Sequence, residues 1–260
     1  MLMIKRWQKK TFANVHPSRW QPQLTVARCD YVEGAVTRLY GGTALGQEEI
    51  LIVGCDQGQL CEELARRGAI ILGLDDSPLV LEQAQRHARE RALGHVIAYL
   101  SGRAEALPFA SGSFSMVVCL QALAQVRDLR AAIAEMARVL APGGLLVFEA
   151  LNGNWPSRLL LNWLGERLPL VLGLEGAGRP RSLIRPRELA FLLTAYGLQP
   201  GEISSFLSRG LANSGLLWSL FRFTRLHYLG YAVRLPAPQQ GSLLRSEPRW
   251  QASQGSKRTG

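Results

Sequence analysis

Two glycines and a later aspartate have the spacing of a site for a nucleotide-like ligand. Gly54 and Gly58 lie in a turn directly after a short apolar run, and Asp75 ends a second apolar run about 20 residues further on. Glycines let the backbone approach a ligand at a helix N-terminus, and a carboxylate accepts hydrogen bonds from a ribose diol. The pattern therefore predicts a cofactor that carries a nucleoside. Asp76 is the second candidate acid, with capping of the following turn as the alternative.

Strands and helices alternate around these residues. Apolar runs predict strands, helical periodicity predicts the segments between them, and Ser77-Pro78 supplies an N-cap residue and a proline at the first helical position. Such alternation implies a parallel sheet with right-handed crossovers. The predicted strands are 50–53, 70–74, 96–100, 114–119 and one after Pro142-Gly143-Gly144, with the last strands within 216–223 and 228–233; the predicted helices are 26–40, one after Gly58, 78–92 and 129–140.

Further blocks of sequence indicate which cofactor is bound. The blocks SGRAEALPF (101–109), GSFSMVVC (112–119) and RVLAPGGLLVF (138–148) follow the glycine turn in this order. Together they resemble the class I S-adenosylmethionine-dependent methyltransferases, over roughly residues 24–205. Within that superfamily the chain is most similar to the ubiquinone-biosynthesis O-methyltransferase group. That similarity lies in RCDYV (28–32), LNGN (151–154), IRPREL (184–189) and YGL (196–198).

The resemblance implies an α/β fold with a doubly wound, mostly parallel seven-stranded sheet, Rossmann-like, in the order 3-2-1-4-5-7-6. The seventh strand is expected to be antiparallel. We expect a basic leader over residues 1–23, a methyltransferase domain over 24–235 and a disordered tail over 236–260. Within the domain, residues 155–185 form a helical insertion that is a lid or an interfacial segment.

The resemblance also assigns residues to S-adenosylmethionine, the implied cofactor. Arg28 is expected at the cofactor carboxylate, and Gly54 and Gly58 are expected at the methionine moiety. Asp75 is expected at the ribose, Ala104 and Glu105 at the adenine, and the apolar Leu120 is expected to face the cofactor. For Arg28 the alternative is an ordinary surface arginine.

The chain departs from the family pattern within the nucleoside site. Ile52 replaces an acid at the end of the first strand, and Asp56 replaces a glycine of the turn. Aspartate is among the few residues that tolerate a left-handed backbone, so the turn is still expected. Our hypothesis is that Asp56 attracts the cofactor ammonium, a role that the apolar Ile52 cannot fill. Arg103 replaces an aspartate that accepts from the adenine amino group, and arginine only donates.

A second departure removes the groups that handle a proton or a metal ion. The family's Glu-x-x-Glu-His motif appears here as Gln121-Ala122-Leu123-Ala124-Gln125, which supplies neither carboxylate nor imidazole. No metal site and no definite catalytic base are therefore predicted. His87 and His95 are interpreted as surface or packing residues, and His227 is a weak candidate base. Orientation alone is the remaining source of catalysis.

Composition and charge bear on the partners. The 260-residue chain, 47% hydrophobic, suits one α/β domain, and its four cysteines form no C-x-x-C pair. Neither a signal peptide nor a membrane span is expected, and the cytoplasm is the default location. The net charge is +10; residues 1–28 carry six basic and no acidic side chains, and residues 151–260 carry fourteen against five. These flanks suit an anionic partner, either a phospholipid surface or nucleic acid, with an ordinary solvated surface as the equal alternative.

Two functions follow from these observations. The first is methylation of a small, lipophilic acceptor, O-directed, with a quinone precursor as the named candidate. The second is a catalytically inactive relative that serves as a binding or membrane-docked interaction protein, as the lost acids would allow. The leucine-rich segment 155–174 suits a lid or an interfacial helix, with burial of its own leucines as the alternative. Nucleic-acid methylation is disfavoured because no Asn-Pro-Pro-Tyr-like motif follows the fourth strand.

Overall fold

Seven strands form one sheet in the computed structural model, which describes residues 21–41, 45, 49–120, 122–164, 180–205 and 225–236. The strand order is β3-β2-β1-β4-β5-β7-β6, and β7 runs antiparallel to both β5 and β6. This order confirms the prediction. The strands are β1 (Glu49–Val53), β2 (Ile70–Asp75), β3 (Ile97–Ser101), β4 (Phe114–Cys119), β5 (Leu140–Leu151), β6 (Leu198–Ser205) and β7 (His227–Arg234).

Six α-helices are described around the sheet. They are α1 (Gln21–Tyr40), α2 (Gln59–Arg66), α3 (Pro78–Glu90), α4 (Leu129–Val139), α5 (Trp155–Leu164) and α6 (Pro186–Ala195). α1 begins earlier than the predicted start at residue 26, and α3 ends before residue 92, where Ala92 has a φ of 57°. Within the described residues, no helix is both long and apolar enough to cross a membrane.

Successive strand residues point to opposite faces of the sheet, and helices cover both faces. On β1, Leu51 and Val53 pack in a core with residues of α4 and α6, whereas Ile50 and Ile52 pack in a second core with residues of α1 and α2. Parallel strands buried on both faces explain the continuous apolar runs in the sequence. The predicted inward residues of the 129–140 helix, Ile133, Met136, Ala137 and Leu140, are all buried.

Seven strands were predicted, but the position of the sixth was not. It is formed by residues 198–205, where Pro200 and Gly201 interrupt the apolar pattern and accompany a register shift before Ile203. Proline lacks the N–H that a central strand needs, so such a sequence suits an edge position, which β6 occupies. The 216–223 part of the predicted last strands lies outside the described residues, as do residues 1–20, 165–179 and 237–260.

Candidate functional site

The turn between β1 and α2 has the backbone geometry that its glycines predicted. Gly54 and Gly58 have φ values of 74° and 82°, and Asp56 has a φ of 48°. Asp56 thus adopts the left-handed conformation expected of it. The N–H of Gly54 donates to the carbonyl of Leu74 at 2.7 Å, which ties the turn to the end of β2.

Gly54 and Gly58 occupy different surroundings within this turn. A Cβ on Gly54 would overlap the Cβ of Ala122, which lies in a short 3-10 helix after β4. A Cβ on Gly58 would overlap the hydroxyl of Tyr99 from β3. Gly54 therefore keeps the ends of β1 and β4 close together, and Gly58 packs the start of α2 against the sheet.

Asp75 is held in place by the backbone on both sides of it. One carboxylate oxygen accepts from the N–H of Asp56 at 3.0 Å, and the other accepts from the N–H of Ser77 at 3.1 Å. Each oxygen of an ionised carboxylate has two lone pairs, so each can still accept one further hydrogen bond. The orientation of Asp75 is thus fixed by the backbone of the protein itself.

A cavity of about 400 Å³ opens over the carboxyl ends of β1, β2 and β4. This volume lies within the ~300–1,000 Å³ typical of small-molecule sites, and the position is the switch point where strand order reverses. Six of the nine predicted cofactor residues lie on its wall, and Arg28, Gly58 and Leu120 do not. The lining residues are Val53, Gly54, Asp56, Gln57, Leu74, Asp75, Asp76, Ser77, Val80, Gly102, Arg103, Ala104, Glu105, Ala122, Gln125, Val126, Arg127 and Arg181.

Glu105 fixes the wall at the predicted adenine end. Its carboxylate accepts from the N–H groups of Arg127 at 2.7 Å and Asp128 at 3.4 Å, and Arg103 Nε lies 3.5 Å away. Partial burial disfavours ionisation, but these backbone donors outweigh it and lower the pKa of Glu105. Glu105 is therefore ionised at neutral pH. Arg103 lies on the cavity wall, held toward Glu105, and leaves the cavity open.

Two arginines of the wall were missed by the sequence analysis. Arg127 follows the 3-10 helix after β4, and Arg181 comes from the segment before α6. The N–H groups of Arg181 and Ser182 both donate to the carbonyl of Ala124, at 2.7 and 3.1 Å. No sequence pattern indicates this contact, because it joins two irregular segments far apart in the chain.

Arg28 is buried on α1 and does not line the cavity wall. Its Nε and Nη2 donate to the two carboxylate oxygens of Glu149, at 2.7 and 3.0 Å, and His227 Nδ1 lies 2.7 Å from Glu149 Oε1. Burial alone would raise the pKa of Glu149. The charge of Arg28 and the hydrogen bond with His227 outweigh it, so this pKa falls to about 2.

The remaining expectations concern Leu120, the segment after β4 and the histidines. Leu120 is buried in the core beneath α1 and α2. Residue 121 lies outside the described residues, and the described part of the chain contains no group of three or more His, Cys, Asp or Glu placed to hold a metal ion. His87 is partly buried on α3 and His95 is exposed, in agreement with surface or packing roles.

Comparison with known proteins identifies the family of this chain. Residues 51–148 match a family model described as "Methyltransferase domain". A ubiquinone biosynthesis O-methyltransferase of Xanthomonas euvesicatoria pv. vesicatoria is 34% identical over 212 residues, covering 81% of this chain and 83% of that protein. The chain belongs to the class I S-adenosylmethionine-dependent methyltransferases.

Solved structures share the fold of this methyltransferase. An S-adenosylmethionine-dependent methyltransferase of Mesorhizobium loti aligns with a TM-score of 0.58 at 20% identity, covering 77% of this chain and 96% of that one. The magnesium protoporphyrin IX methyltransferase of Synechocystis with bound SAH aligns with a TM-score of 0.57 at 20% identity, covering 80% and 84%.

The cavity of the methyltransferase fits its cofactor, S-adenosylmethionine. Gly54 lies on the cavity wall and carries no side chain, so only backbone lines the cavity at this point. Asp75 lies on the same wall, with its carboxylate held by two backbone N–H groups. The alternative of an inactive relative gains no support from the comparisons.

Proposed function

We propose that this methyltransferase moves the methyl group of S-adenosylmethionine to a phenolic hydroxyl of a small, lipophilic acceptor, a ubiquinone precursor. The observation that carries this proposal is the 34% identity to a ubiquinone biosynthesis O-methyltransferase over 83% of that protein. Similarity that extends well beyond the nucleoside-binding half supports a related acceptor.

The cofactor residues take the roles that their positions support. Asp75 accepts from the ribose hydroxyls, Asp76 lies beside it, and the bare backbone at Gly54 adjoins the methionine moiety. Ala104 and Glu105 line the adenine end. Gly58 and Leu120 act through the packing of α2 and of the core.

Asp56 is the acid that we assign to the cofactor ammonium. Ile52, where the family pattern has an acid, is fully buried in the core beneath α1 and α2. Asp56 instead lies on the cavity wall in the same turn. Opposite charges attract strongly in a partly enclosed cavity, so Asp56→Asn is expected to weaken cofactor binding about tenfold.

Arg28 is the residue that we assign to the cofactor carboxylate, through a shared arrangement with Glu149. Arginine has five N–H donors, and the bidentate pair with Glu149 uses Nε and one Nη2 hydrogen. Donors therefore remain for a second carboxylate. Arg28 must therefore move toward the cavity when cofactor binds. A shift of α1 would bring it there.

The chemistry asks the protein chiefly for orientation. The cofactor supplies an electrophilic methyl group on a sulfonium centre, and displacement requires the acceptor oxygen in line with it. Holding two reactants in this geometry can contribute ~7–11 kcal/mol to lowering the barrier. The rigid turn at Gly54 and the fixed Asp75 carboxylate orient one reactant.

Exposed apolar side chains on α5 support the proposal that a lipophilic acceptor is reached from a membrane surface. Trp155 and Leu159 on α5 are 71% and 62% exposed, one helical turn apart. Adjacent apolar side chains at this spacing form one exposed stripe on the helix. We propose that α5 belongs to a lid or to a surface that contacts anionic lipid, with the protein peripheral on the cytoplasmic side.

A paired-acceptor assay tests the acceptor. Wild-type protein is incubated with methyl-labelled S-adenosylmethionine and either a prenylated catechol or the same catechol without its tail, and products are identified by mass spectrometry. We expect a methyl ether and a higher kcat/KM for the prenylated catechol. A product methylated on nitrogen or carbon, or no methyl ether from either catechol, contradicts the proposal.

Vesicle flotation tests the role of α5. We expect Trp155→Ser/Leu159→Ser to abolish co-flotation with vesicles of anionic phospholipid. Phe191→Ser is the matched control, because Phe191 is 78% exposed on α6. Unchanged flotation of the α5 variant removes the membrane proposal and leaves the methyl-transfer assay unaffected.

A further inference from the structure

Three arginines lie on the cavity wall, and two of them have no counter-charge within the described residues. Arg103 is matched by Glu105, whose carboxylate lies 3.5 Å from its Nε. Arg127 and Arg181 line the same cavity, and in the part of the chain that the structure describes neither side chain has an ion pair or a hydrogen bond. These two cations are therefore available to an anion that enters the cavity.

The backbone brings Arg127 and Arg181 to the same part of the wall. The N–H of Arg181 donates to the carbonyl of Ala124 at 2.7 Å, and Arg127 follows Ala124 by three residues. The N–H of Arg127 donates to Glu105 Oε1 at 2.7 Å, so its backbone is held as well. Three residues span at most about 11 Å, a distance that two long arginine side chains can bridge. One ligand group can therefore contact both guanidinium groups.

Gln125 adds a hydrogen-bond donor beside these arginines. It also lines the cavity, and its Nε2 is buried with no hydrogen-bond partner among the described residues. An enclosed donor without an acceptor is destabilising, and a ligand oxygen in the cavity supplies the acceptor once the carboxamide turns toward it. Gln125 occupies the motif position where the family pattern has histidine. The change replaces a group that titrates with a neutral one that can donate at any pH.

The position of these donors separates them from the acids assigned to the cofactor. Asp56, Asp75 and Asp76 lie at the ends of β1 and β2, whereas Gln125 and Arg127 follow β4. In the sheet, β4 adjoins β1 on the side away from β2. S-Adenosylmethionine has one anionic group, its carboxylate, and that group is assigned to the arginine of α1. The donors beyond β4 therefore exceed what the cofactor needs, and the acceptor is the second reactant that the cavity must hold.

We infer that Arg127, Arg181 and Gln125 bind an anionic group of the methyl acceptor, a carboxylate or a phosphate. This inference rests on the proposed function and narrows its acceptor to a catechol that carries such a group. Guanidinium groups bind both anions through paired N–H donors. Opposite charges attract more strongly in a partly enclosed cavity than in water, so the anion contributes to affinity as well as to orientation.

Three acceptors with the same prenylated catechol core test the inference. One carries a carboxylate on the ring, one a phosphate, and one a neutral carboxamide of nearly the same shape as the carboxylate. We expect the kcat/KM of wild type to be at least about tenfold higher for one of the anionic acceptors than for the carboxamide, because a hydrogen bond to a charged group contributes at least that factor. The preferred acceptor identifies which anion the site binds.

Four variants show whether the arginines cause this preference. Arg181→Gln should reduce it at least about threefold and Arg127→Gln/Arg181→Gln should remove it, through a higher KM for the anionic acceptor, whereas Arg181→Lys keeps the charge and part of the preference. The kcat/KM for the carboxamide acceptor and the calorimetric affinity for S-adenosylhomocysteine should stay within about threefold of wild type. Arg187→Gln, at an exposed arginine of α6, is the matched control and keeps the wild-type preference.

The outcomes separate this inference from the proposed function. If wild type forms no methyl ether from any catechol, the proposed function fails and the inference fails with it. If wild type is active but does not prefer an anionic acceptor, or if the double variant keeps the preference, the inference alone is overturned. It is also overturned if the double variant, folded by thermal unfolding, binds S-adenosylhomocysteine more than threefold more weakly, because the arginines would then bind the cofactor.

Discussion

Removing one charge of the Arg28–Glu149 pair should destabilise the fold strongly, whereas removing both should not. Both side chains are almost fully buried, at 5% and 3% exposure. Glu149→Gln leaves Arg28 buried without a counter-charge, and Arg28→Met leaves Glu149 with only His227. Breaking a buried pair on one side costs about 3–5 kcal/mol of unfolding free energy, and replacing both members with apolar residues is often nearly neutral.

The lowered pKa of Glu149 indicates a contribution of similar size. A fall from 4.5 to about 2 corresponds to about 3 kcal/mol at 1.36 kcal/mol per pKa unit. Because the folded pKa is the lower one, this stabilisation is fully present above pH 4.5. It is lost as pH falls toward 2, and about 1 kcal/mol of it should be gone by pH 3.5.

Urea unfolding at pH 7.0, 5.0 and 3.5 measures the free energy of unfolding of wild type and three variants. The variants are Glu149→Gln, Arg28→Met and Arg28→Met/Glu149→Met. We expect each single variant to lose more stability than the double variant, and the deficit of Glu149→Gln to be equal at pH 7.0 and 5.0 and smaller at pH 3.5. A Glu149→Gln cost under about 1 kcal/mol, or a double variant as unstable as the sum of the singles, would show that the two buried charges do not depend on each other for stability.

Three further substitutions probe the elements around the cavity. Gly54→Ala should lower the free energy of unfolding by about 2–4 kcal/mol, because of left-handed backbone strain and overlap with Ala122, and should abolish binding of S-adenosylhomocysteine. Adding Ala122→Gly should restore the part of the stability that is lost through the overlap. No gain in the urea midpoint would argue against that contact. Asp128→Ala removes an N-cap side chain that accepts from the N–H groups of Arg130 and Ala131. It should lower the free energy of unfolding in urea by about 1 kcal/mol. An unchanged midpoint would show that the cap contributes nothing. Gly201→Ala should destabilise the β6 edge by overlap with the Tyr231 ring, seen as faster amide exchange in β6 and β7.

The central sheet could be predicted because its strands are continuous apolar runs punctuated by glycines. β4 was predicted with the bounds that the structure has, since Phe114 to Cys119 lies between two polar turns. β6 could not be predicted in this way. Pro200 and Gly201 break its pattern, and the strand is stabilised by pairing with β7 rather than by its own composition.

The nucleoside half of the site was predictable because it is local in sequence. Gly54, Asp56 and Asp75 lie within one strand–turn–helix–strand unit, whose geometry follows from residue types. The Arg28–Glu149–His227 cluster was not predictable. Its contacts join residues 121 and 78 positions apart, and no local pattern of the chain specifies such partners.

Calorimetric titration with S-adenosylhomocysteine shows directly whether the cavity at Asp75 binds the methyl donor. We predict micromolar affinity for wild type and for Glu82→Ala, an exposed acid on α3 used as the control. Asp75→Ala should bind at least about tenfold more weakly, since a hydrogen bond to a charged group contributes ~1.5–3 kcal/mol. No binding by folded wild type up to millimolar ligand, or equal affinity of folded Asp75→Ala, would show that Asp75 does not hold the methyl donor in this cavity.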